Sequence, residues 1–329
     1  MSEHQAELQL FPVTAGGVRP HGPDFIFGER AEIDDSPLPL IARARRAYHL
    51  QLANVLIVSE AGVPSNSDGV KQPSLRFSQG IADRLGTAGS GPKPAGQTLG
   101  ARFEQATADF LAVTFPRLAS IRPGEWTVRR IGDQNHPEST VKKQKIRGAI
   151  YEQYEHLSDL EEIVKEKREL QAALGNAYII APDVVVSRKP VGDEIINRDE
   201  YIVGGEYSKY AAIRDSVQSR PLLHAVISCK WTLRSDRAQN ARSEALNLIR
   251  NRKGRAPHIA VVTAEPLPGR LASLALGTGD IDCVYHFALP ELFETVESDR
   301  DRDAFEMLGT MIRGKRLKDI SDLPLDLAV

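Results

Sequence analysis

An α/β fold, a central mixed β-sheet flanked by helices, follows from three apolar runs in the second half of the chain and a helix between two of them. The first run is Tyr178-Ile179-Ile180, passing through Pro182-Asp183 into Val184-Val185-Val186. The second is Leu222 to Lys230 and the third is Ile259 to Thr263. β-branched residues suit strands, and the proline interrupts the first run where a ladder donor is lost. Between the second and third runs, Ala241, Ala245, Leu248 and Ile249 fall on one side of a helix over about Ala238 to Arg250. Strand, helix, strand predicts a crossover unit within the sheet.

Earlier elements are read in the same way. Residues 1–40 are rich in Pro, Gly and Asp, and Asp34-Asp35-Ser36-Pro37-Leu38-Pro39 interrupts any regular element, which predicts an irregular N-terminal arm. Residues 41–329 then form one domain. A helix is expected from Ile41 to Val58, then a loop-rich stretch from Gly62 to Pro94 closed by Gly86, Gly89, Gly91, Pro92 and Pro94. A loop of that length is functional or disordered more often than idle. From Thr98 the pattern turns helical, with Phe103, Ala106, Thr107, Phe110 and Leu111 on one face and Glu104 at its edge. Tyr151 to Leu174 is expected to be a further helix whose mixed charges, Glu161 to Glu169, form a solvated face.

Composition bounds the function. Hydrophobic residues make up 41% and charged residues 26%, enough for a real core in a water-soluble protein. With 42 basic and 44 acidic side chains the formal net charge is -2, so any contact with nucleic acid must come from a local basic cleft. Cys229 and Cys283 are too few for a disulfide framework and lack zinc spacing, which fits a reducing, cytoplasmic compartment. No signal-peptide pattern opens the chain, and no apolar run reaches the ~18 residues of a membrane span.

The chemistry is concentrated around Ser228-Cys229-Lys230. Side chains alternate along a strand, so Ser228 and Lys230 share one face and Cys229 points to the other. Asp183 lies on a neighbouring strand and Glu244 on the following helix, within reach if that helix packs over the strand ends. Hard divalent cations such as Mg²⁺ take oxygen ligands and keep some of their waters. Asp183, Glu244 and the backbone carbonyl of Cys229 meet that demand, and Glu104 offers another carboxylate. Lys230 beside a polarised water would orient it and stabilise negative charge. Four residues on comes Arg234-Ser235-Asp236-Arg237. Arginine holds guanine O6 and N7 bidentately and aspartate accepts from cytosine N4, so the cluster suits a G·C-rich site on double-stranded DNA. His224 reads as a core histidine, and Trp126, Trp231 and Cys283 read as packing residues.

The chain resembles the PD-(D/E)xK nucleases, specifically the CCGG-family type II restriction endonucleases of the NgoMIV kind. In that group the acid preceding the lysine is replaced by a small residue, here Ser228, and a glutamate on the next helix, here Glu244, substitutes for it. Thirteen residues separate Lys230 from Glu244, and forty-four separate Asp183 from Ser228, in keeping with the family pattern. The family's Arg-(Ser/Asp)-Asp-Arg motif is present as Arg234 to Arg237. The resemblance is strong from Ala177 onward, weaker over Asn66 to Phe115, and absent over roughly the first forty residues. It implies a restriction-endonuclease-like fold and a catalytic set of Asp183, Ser228, Lys230, Glu244 and Glu104. It also implies metal ligation by Asp183, Cys229, Glu244 and Glu104, outer-base contacts by Gln97, Asp68 and Arg270, and Mg²⁺ as cofactor. The implied target is CCGG within GCCGGC, cut after the outer G to leave a four-base 5′ overhang. A palindrome calls for a two-fold dimer, and the resemblance implies a tetramer of two such dimers. Two other readings share the same residues: a less specific repair or recombination nuclease with the same core, and a protein that reads DNA without cutting it. Cleavage of plasmid DNA into discrete bands, a smear, or not at all separates the three.

Overall fold

The computed structural model describes residues 37–69, 71–131, 150–157, 182–277 and 279–329. Helix α1 (Leu40–Gln51) leads to strand β1 (Ile57–Val58), helix α2 (Gln72–Leu85), strand β2 (Gly89–Ser90) and helix α3 (Gly96–Thr114). A six-stranded sheet then assembles in chain order from β3 (Trp126–Arg130), β4 (Val184–Arg188), β5 (Leu222–Lys230), β6 (His258–Thr263), β7 (Cys283–His286) and β8 (Leu317–Asp319). The first three strands pair antiparallel and β5 to β8 pair parallel, so the sheet is mixed. The β4–β5 connection carries the one-turn helix α4 (Asp193–Ile196), and α5 (Ser235–Asn251) makes the expected crossover between β5 and β6. Helix α6 (Pro268–Ala275) lies between β6 and β7, α7 (Leu289–Asp299) and α8 (Arg302–Arg313) between β7 and β8, and α9 (Leu323–Asp326) follows β8.

β5 is the centre of the sheet, and its seven inner residues are all buried, as a strand covered on both faces requires. Helix α3 covers one face, where Phe103 meets Trp231 with ring centroids 5.1 Å apart. Helix α5 covers the other, setting Ala241, Ala245 and Leu248 against Val226, Ser228 and Val261. All five residues of the expected α3 stripe are buried. His224 is a core histidine: it stacks on Phe115 and bonds through Nε2 to the Leu327 carbonyl at 2.6 Å. Trp126 packs on Phe115 and His224, and Trp231 and Cys283 are buried. Among the described residues no helix is long and apolar enough to cross a membrane.

Three expectations are corrected. The loop-rich stretch from Gly62 to Pro94 contains the fourteen-residue helix α2. Its buried face is Ser74, Phe77, Ser78, Ile81 and Ala82, so serines dilute the apolar period that would have announced it. Gly80 is required there, because a Cβ would stand 2.2 Å from Thr295 Cγ2 on α7. The helix expected to run to Val58 stops at Gln51, and Ile57 and Val58 instead pair parallel with Gly89 and Ser90. The helix expected from Tyr151 starts later: Glu152–Tyr154 is a single 3₁₀ turn, His156 and Leu157 are helical, and Ser158 onward in that expected helix lies outside the described residues. The same holds for Tyr178-Ile179-Ile180 and for nearly all of the N-terminal arm over residues 1–40.

Helix α1 is fastened to the far edge of the sheet by Arg45. Its guanidinium donates to both oxygens of Asp319 on β8 at 2.8 and 3.0 Å and to both of Glu291 on α7 at 2.9 and 2.6 Å. Burial pushes both carboxyls up, but Arg45 outweighs it and holds each below its ordinary pKa. The contribution of these carboxylates is therefore complete at neutral pH and is lost as pH falls through the depressed values. Removing the cation leaves two nearly buried carboxylates facing each other. We expect Arg45→Ala to lose about 2–4 kcal/mol at neutral pH, the buried-pair cost reduced for partial exposure. Urea titrations at descending pH should show its gap from the parent protein narrowing as the carboxylates take up protons.

Candidate active site

The antiparallel register of β4 on β5 sets Val184 against Ile227 and so brings Asp183 beside Ser228. The Asp183 backbone is anchored as well, its carbonyl accepting from the Ile131 N–H at 2.8 Å just past β3. Asp183 Oδ2 accepts from the backbone N–H of Cys229 at 2.7 Å and from Lys230 Nζ at 3.0 Å. The Ser228 hydroxyl lies between two carboxylates, 3.5 Å from Asp183 Oδ2 and 3.3 Å from Glu244 Oε2. Lys230 Nζ is 3.9 Å from that same Glu244 oxygen. Glu244 reaches the strand end because α5 packs down through Ala241 and Ala245, one turn of helix that presents Glu244 beside them. The four expected residues are thus brought together, and the Cys229 side chain is turned away, buried next to Thr107.

Glu104 arrives from α3 on the other face. Arg130, on the edge strand β3, donates to Glu104 Oε2 at 3.1 Å. Burial, then the charge of Asp183, raise the Glu104 carboxyl above its ordinary pKa, while Arg130 and Lys230 pull against that shift. Burial opposes the Lys230 ammonium, but Asp183 and Glu244 more than offset it and hold its pKa above the ordinary lysine value. Lys230 is therefore a permanent cation at neutral pH, suited to orienting water and neutralising charge rather than to accepting a proton. Burial keeps the Cys229 thiol protonated and unreactive.

Among the described residues, no three acidic, histidine or cysteine side chains converge closely enough to cage a metal ion. That still suits Mg²⁺, which dehydrates reluctantly and is commonly held by one or two carboxylates. Asp183 and Glu244 form such a pair, separated by one serine hydroxyl, with the Lys230 cation between them. Glu104 is committed to Arg130 in this structure.

The strand end opens into a cleft lined by Lys230, Glu244, Asp68, Arg234, Arg237 and Arg270. Arg234 occupies the N-cap position of α5, and Arg237 follows in the first turn, its Nη1 donating to the Thr232 hydroxyl at 2.9 Å. Arg270 on α6 bonds to Asp68 Oδ2 at 2.5 Å, so two residues expected to contact outer bases are paired with each other. Two expected contacts do not line the cleft. Gln97 is exposed in the first turn of α3, whereas its neighbours Gly96 and Gly100 line the wall. Asp236 is exposed on the first turn of α5, one residue from Arg237.

Several residues here were not singled out in the sequence. Lys93 lines the cleft, and burial together with the charges of Arg234 and Arg237 pushes its ammonium below the ordinary lysine value. It stands in the short Gly/Pro-rich segment between α2 and α3. Asn240 lies one helical turn before Glu244 and also lines the wall, so helical spacing from Glu244 would have found it. Arg130 and Glu265 carried no sequence signal, because Glu104 lies 26 residues from Arg130 and Leu233 lies 32 residues from Glu265.

Lys230 balances a crowd of carboxylates, which makes a prediction about stability without metal. Lys230→Ala is expected to lose about 1–3 kcal/mol in chelator, the cost of leaving Asp183 facing Glu104 and Glu244 uncompensated, reduced for partial exposure. Asp183→Asn is expected to lose less than half as much, since it relieves the repulsion while its side-chain oxygen still accepts from Cys229 N–H. Urea unfolding of both variants in chelator checks this; an equal loss in both would contradict the charge balance.

Comparison with known proteins agrees with this geometry. The family model described as NgoMIV restriction enzyme matches residues 48–329. The type II restriction enzyme NgoMIV of Neisseria gonorrhoeae is 50% identical over 293 residues, which cover 88% of this chain and 99% of that enzyme. The matched region contains every residue of the site, from Asp68 to Arg270. A mixed sheet whose central strand carries Lys230 at its end, with carboxylates converging from both covering helices, is thereby placed among nucleases: the chain belongs to the NgoMIV restriction enzyme family and is a type II restriction endonuclease.

Proposed function

We propose that this enzyme hydrolyses double-stranded DNA at a palindrome containing CCGG, GCCGGC cut after the outer G to leave four-base 5′ overhangs, with Mg²⁺ as its cofactor. The observation that carries the reading is that Lys230 and Glu244 line the same cleft as Arg234, Arg237 and Arg270. Cutting and reading then occur on the same stretch of duplex.

Asp183, Glu244 and the Cys229 carbonyl are the groups that hold the cation, and Glu104 joins them once released from Arg130. When bound, the cation supplies Lewis-acid polarisation of the scissile phosphate and lowers the pKa of an attacking water. Lys230 donates toward that water and offsets the charge that develops on the phosphate oxygens. Ser228 fills the space between the carboxylates without adding a further negative charge that would repel the phosphate. Arg234 and Arg237 enter the major groove and hold guanine edges, and Asp236, exposed on the same turn, accepts from cytosine N4. Asp68, Arg270 and Gln97 contact the outer base pairs. Lys93 adds positive charge to the cleft in a chain whose net charge is slightly negative, which favours phosphate approach.

A palindrome requires two copies related by two-fold symmetry, and the proposed assembly is a tetramer of two dimers. The β4–β5 connection supports association. Arg214, 4% exposed, organises it by bonding to Asp193 and to the carbonyls of Gly204, Tyr207 and Ser208. That ordered loop nevertheless presents Tyr201, Ile202, Tyr207 and Tyr210 to solvent at 64 to 97% exposure. Exposed apolar and aromatic groups held in fixed positions are characteristic of interfaces.

Digestion of plasmid DNA in Mg²⁺, followed by end sequencing, tests the reaction directly. Discrete fragments ending at G/CCGGC are expected, with two-site plasmids cut faster than one-site plasmids; a smear or no cleavage would refute the proposal. Asp183→Ala should lose cleavage while keeping specific binding, because base and phosphate contacts lie elsewhere in the cleft.

Base reading is tested separately, in Ca²⁺ to prevent cutting. Each bidentate guanine contact is worth roughly 1–3 kcal/mol. Arg237→Ala is therefore expected to lose about one to two decades of affinity for GCCGGC and far less for a scrambled duplex. Equal loss on both duplexes would make Arg237 a phosphate clamp.

A further inference from the structure

Glu265 is completely buried, two residues beyond the end of β6. A carboxylate there is costly unless every oxygen is answered, and its partners are unusual. Oε2 accepts from the backbone N–H of Leu233 at 2.8 Å, the residue immediately before Arg234. The same oxygen faces Arg270 Nη1 at 3.5 Å, while Oε1 accepts from the N–H of Leu267 at 3.2 Å, where α6 begins. Its own N–H bonds to the Thr263 hydroxyl at 3.2 Å, and that hydroxyl donates to the Lys230 carbonyl at 2.7 Å. One buried side chain thus touches the entry to α5, the entry to α6 and the guanidinium of Arg270, whose other side is held by Asp68.

We infer that Glu265 is a positioning residue for sequence discrimination, locking Arg234 and Arg270 into one rigid reading unit at a fixed distance from Lys230. Rigid support limits the rotamers an arginine must surrender on binding and keeps its fork aligned with a base edge. Burial raises the Glu265 carboxyl above its ordinary pKa, and the Leu233 N–H and Arg270 offset part of that rise.

The inference rests on the proposed reading of Arg234, Arg237 and Arg270 as base contacts, and its test separates the two. Dissociation constants are measured in Ca²⁺ on GCCGGC, on ACCGGT with altered outer pairs, on GCATGC with altered inner pairs, and on a scrambled duplex. Loss of outer-pair discrimination in Arg270→Ala establishes the reading; its retention overturns both that reading and the inference. Given that loss, Glu265→Gln is expected to reduce outer-pair discrimination about tenfold, since the arginine loses its buried counter-charge. Inner-pair discrimination should fall less than threefold, because the amide oxygen still accepts from Leu233 N–H. Unchanged outer-pair discrimination in Glu265→Gln, or an equal loss on all four duplexes, overturns the inference while leaving the base contacts standing. If Glu265→Gln does not fold, Glu265→Asp decides instead. Its shorter carboxylate is expected to give an intermediate loss at the outer pairs, and parental discrimination overturns the inference.

Discussion

At the end of β5 one carboxylate oxygen, Asp183 Oδ2, accepts both the Cys229 N–H and the Lys230 ammonium. Two donors on one oxygen fix the acid against the central strand, and the strand is itself buried on both faces. That single junction sets where Glu244 and Glu104 must arrive. Each comes from a helix packed on a different face of β5, so the positions of the carboxylates are inherited from core packing. The site is also electrostatically incomplete. Lys230 offsets only part of the negative charge of three nearby acids, and Glu104 is held by Arg130 and raised in pKa. An excess of carboxylate at a cleft mouth is a poor arrangement for stability and a good one for attracting a divalent cation.

The same strand end organises recognition. Lys230 is followed within four residues by Arg234, and α5 begins at Ser235. The distance between chemistry and reading is thus a few residues of chain, with little freedom to vary. Asp68 and Arg270 join the lining from a loop before α2 and from α6, and they form an ion pair there. Glu265 underlies both groups. For a restriction enzyme, a rigid link between reading and cutting is a physical requirement, because hydrolysis at the wrong sequence is prevented only by alignment at the scissile phosphate.

Away from the cleft the structure is conventional in its energetics. Tyr48, Phe103, Phe110, Phe115 and Phe287 are essentially solvent-free, and burial of such rings dominates a core of this size. Arg45 is one of its polar junctions, joining α1 to α7 and β8. It holds the first described helix to the last strand of the sheet, on the side away from the antiparallel edge. The exposed tyrosines of the β4–β5 connection contrast with that buried order, since their loop is tightly bonded by Arg214 yet offers its rings outward.

Readable from the chain alone were the mixed α/β class, the strands containing Val184 to Val186, Leu222 to Lys230 and Ile259 to Thr263, the crossover helix, and Asp183, Ser228, Lys230 and Glu244 as the candidate site. The elements were legible because strand alternation and helical periodicity are local, and the candidate site was legible because the family resemblance singled out its residues. Helix α2 was not legible, since serines occupy two of the five positions on its buried face and only contact with α7 makes that face a core. The ion pairs of Arg130 with Glu104 and of Asp68 with Arg270 were likewise decided by tertiary structure, as was the buried carboxylate of Glu265. The pairs join residues 26 and 202 positions apart, and no periodicity reports a partner that only the folded sheet brings within reach. Side-chain pattern encodes which face of an element is buried; what that face meets is set by the packing of the whole chain.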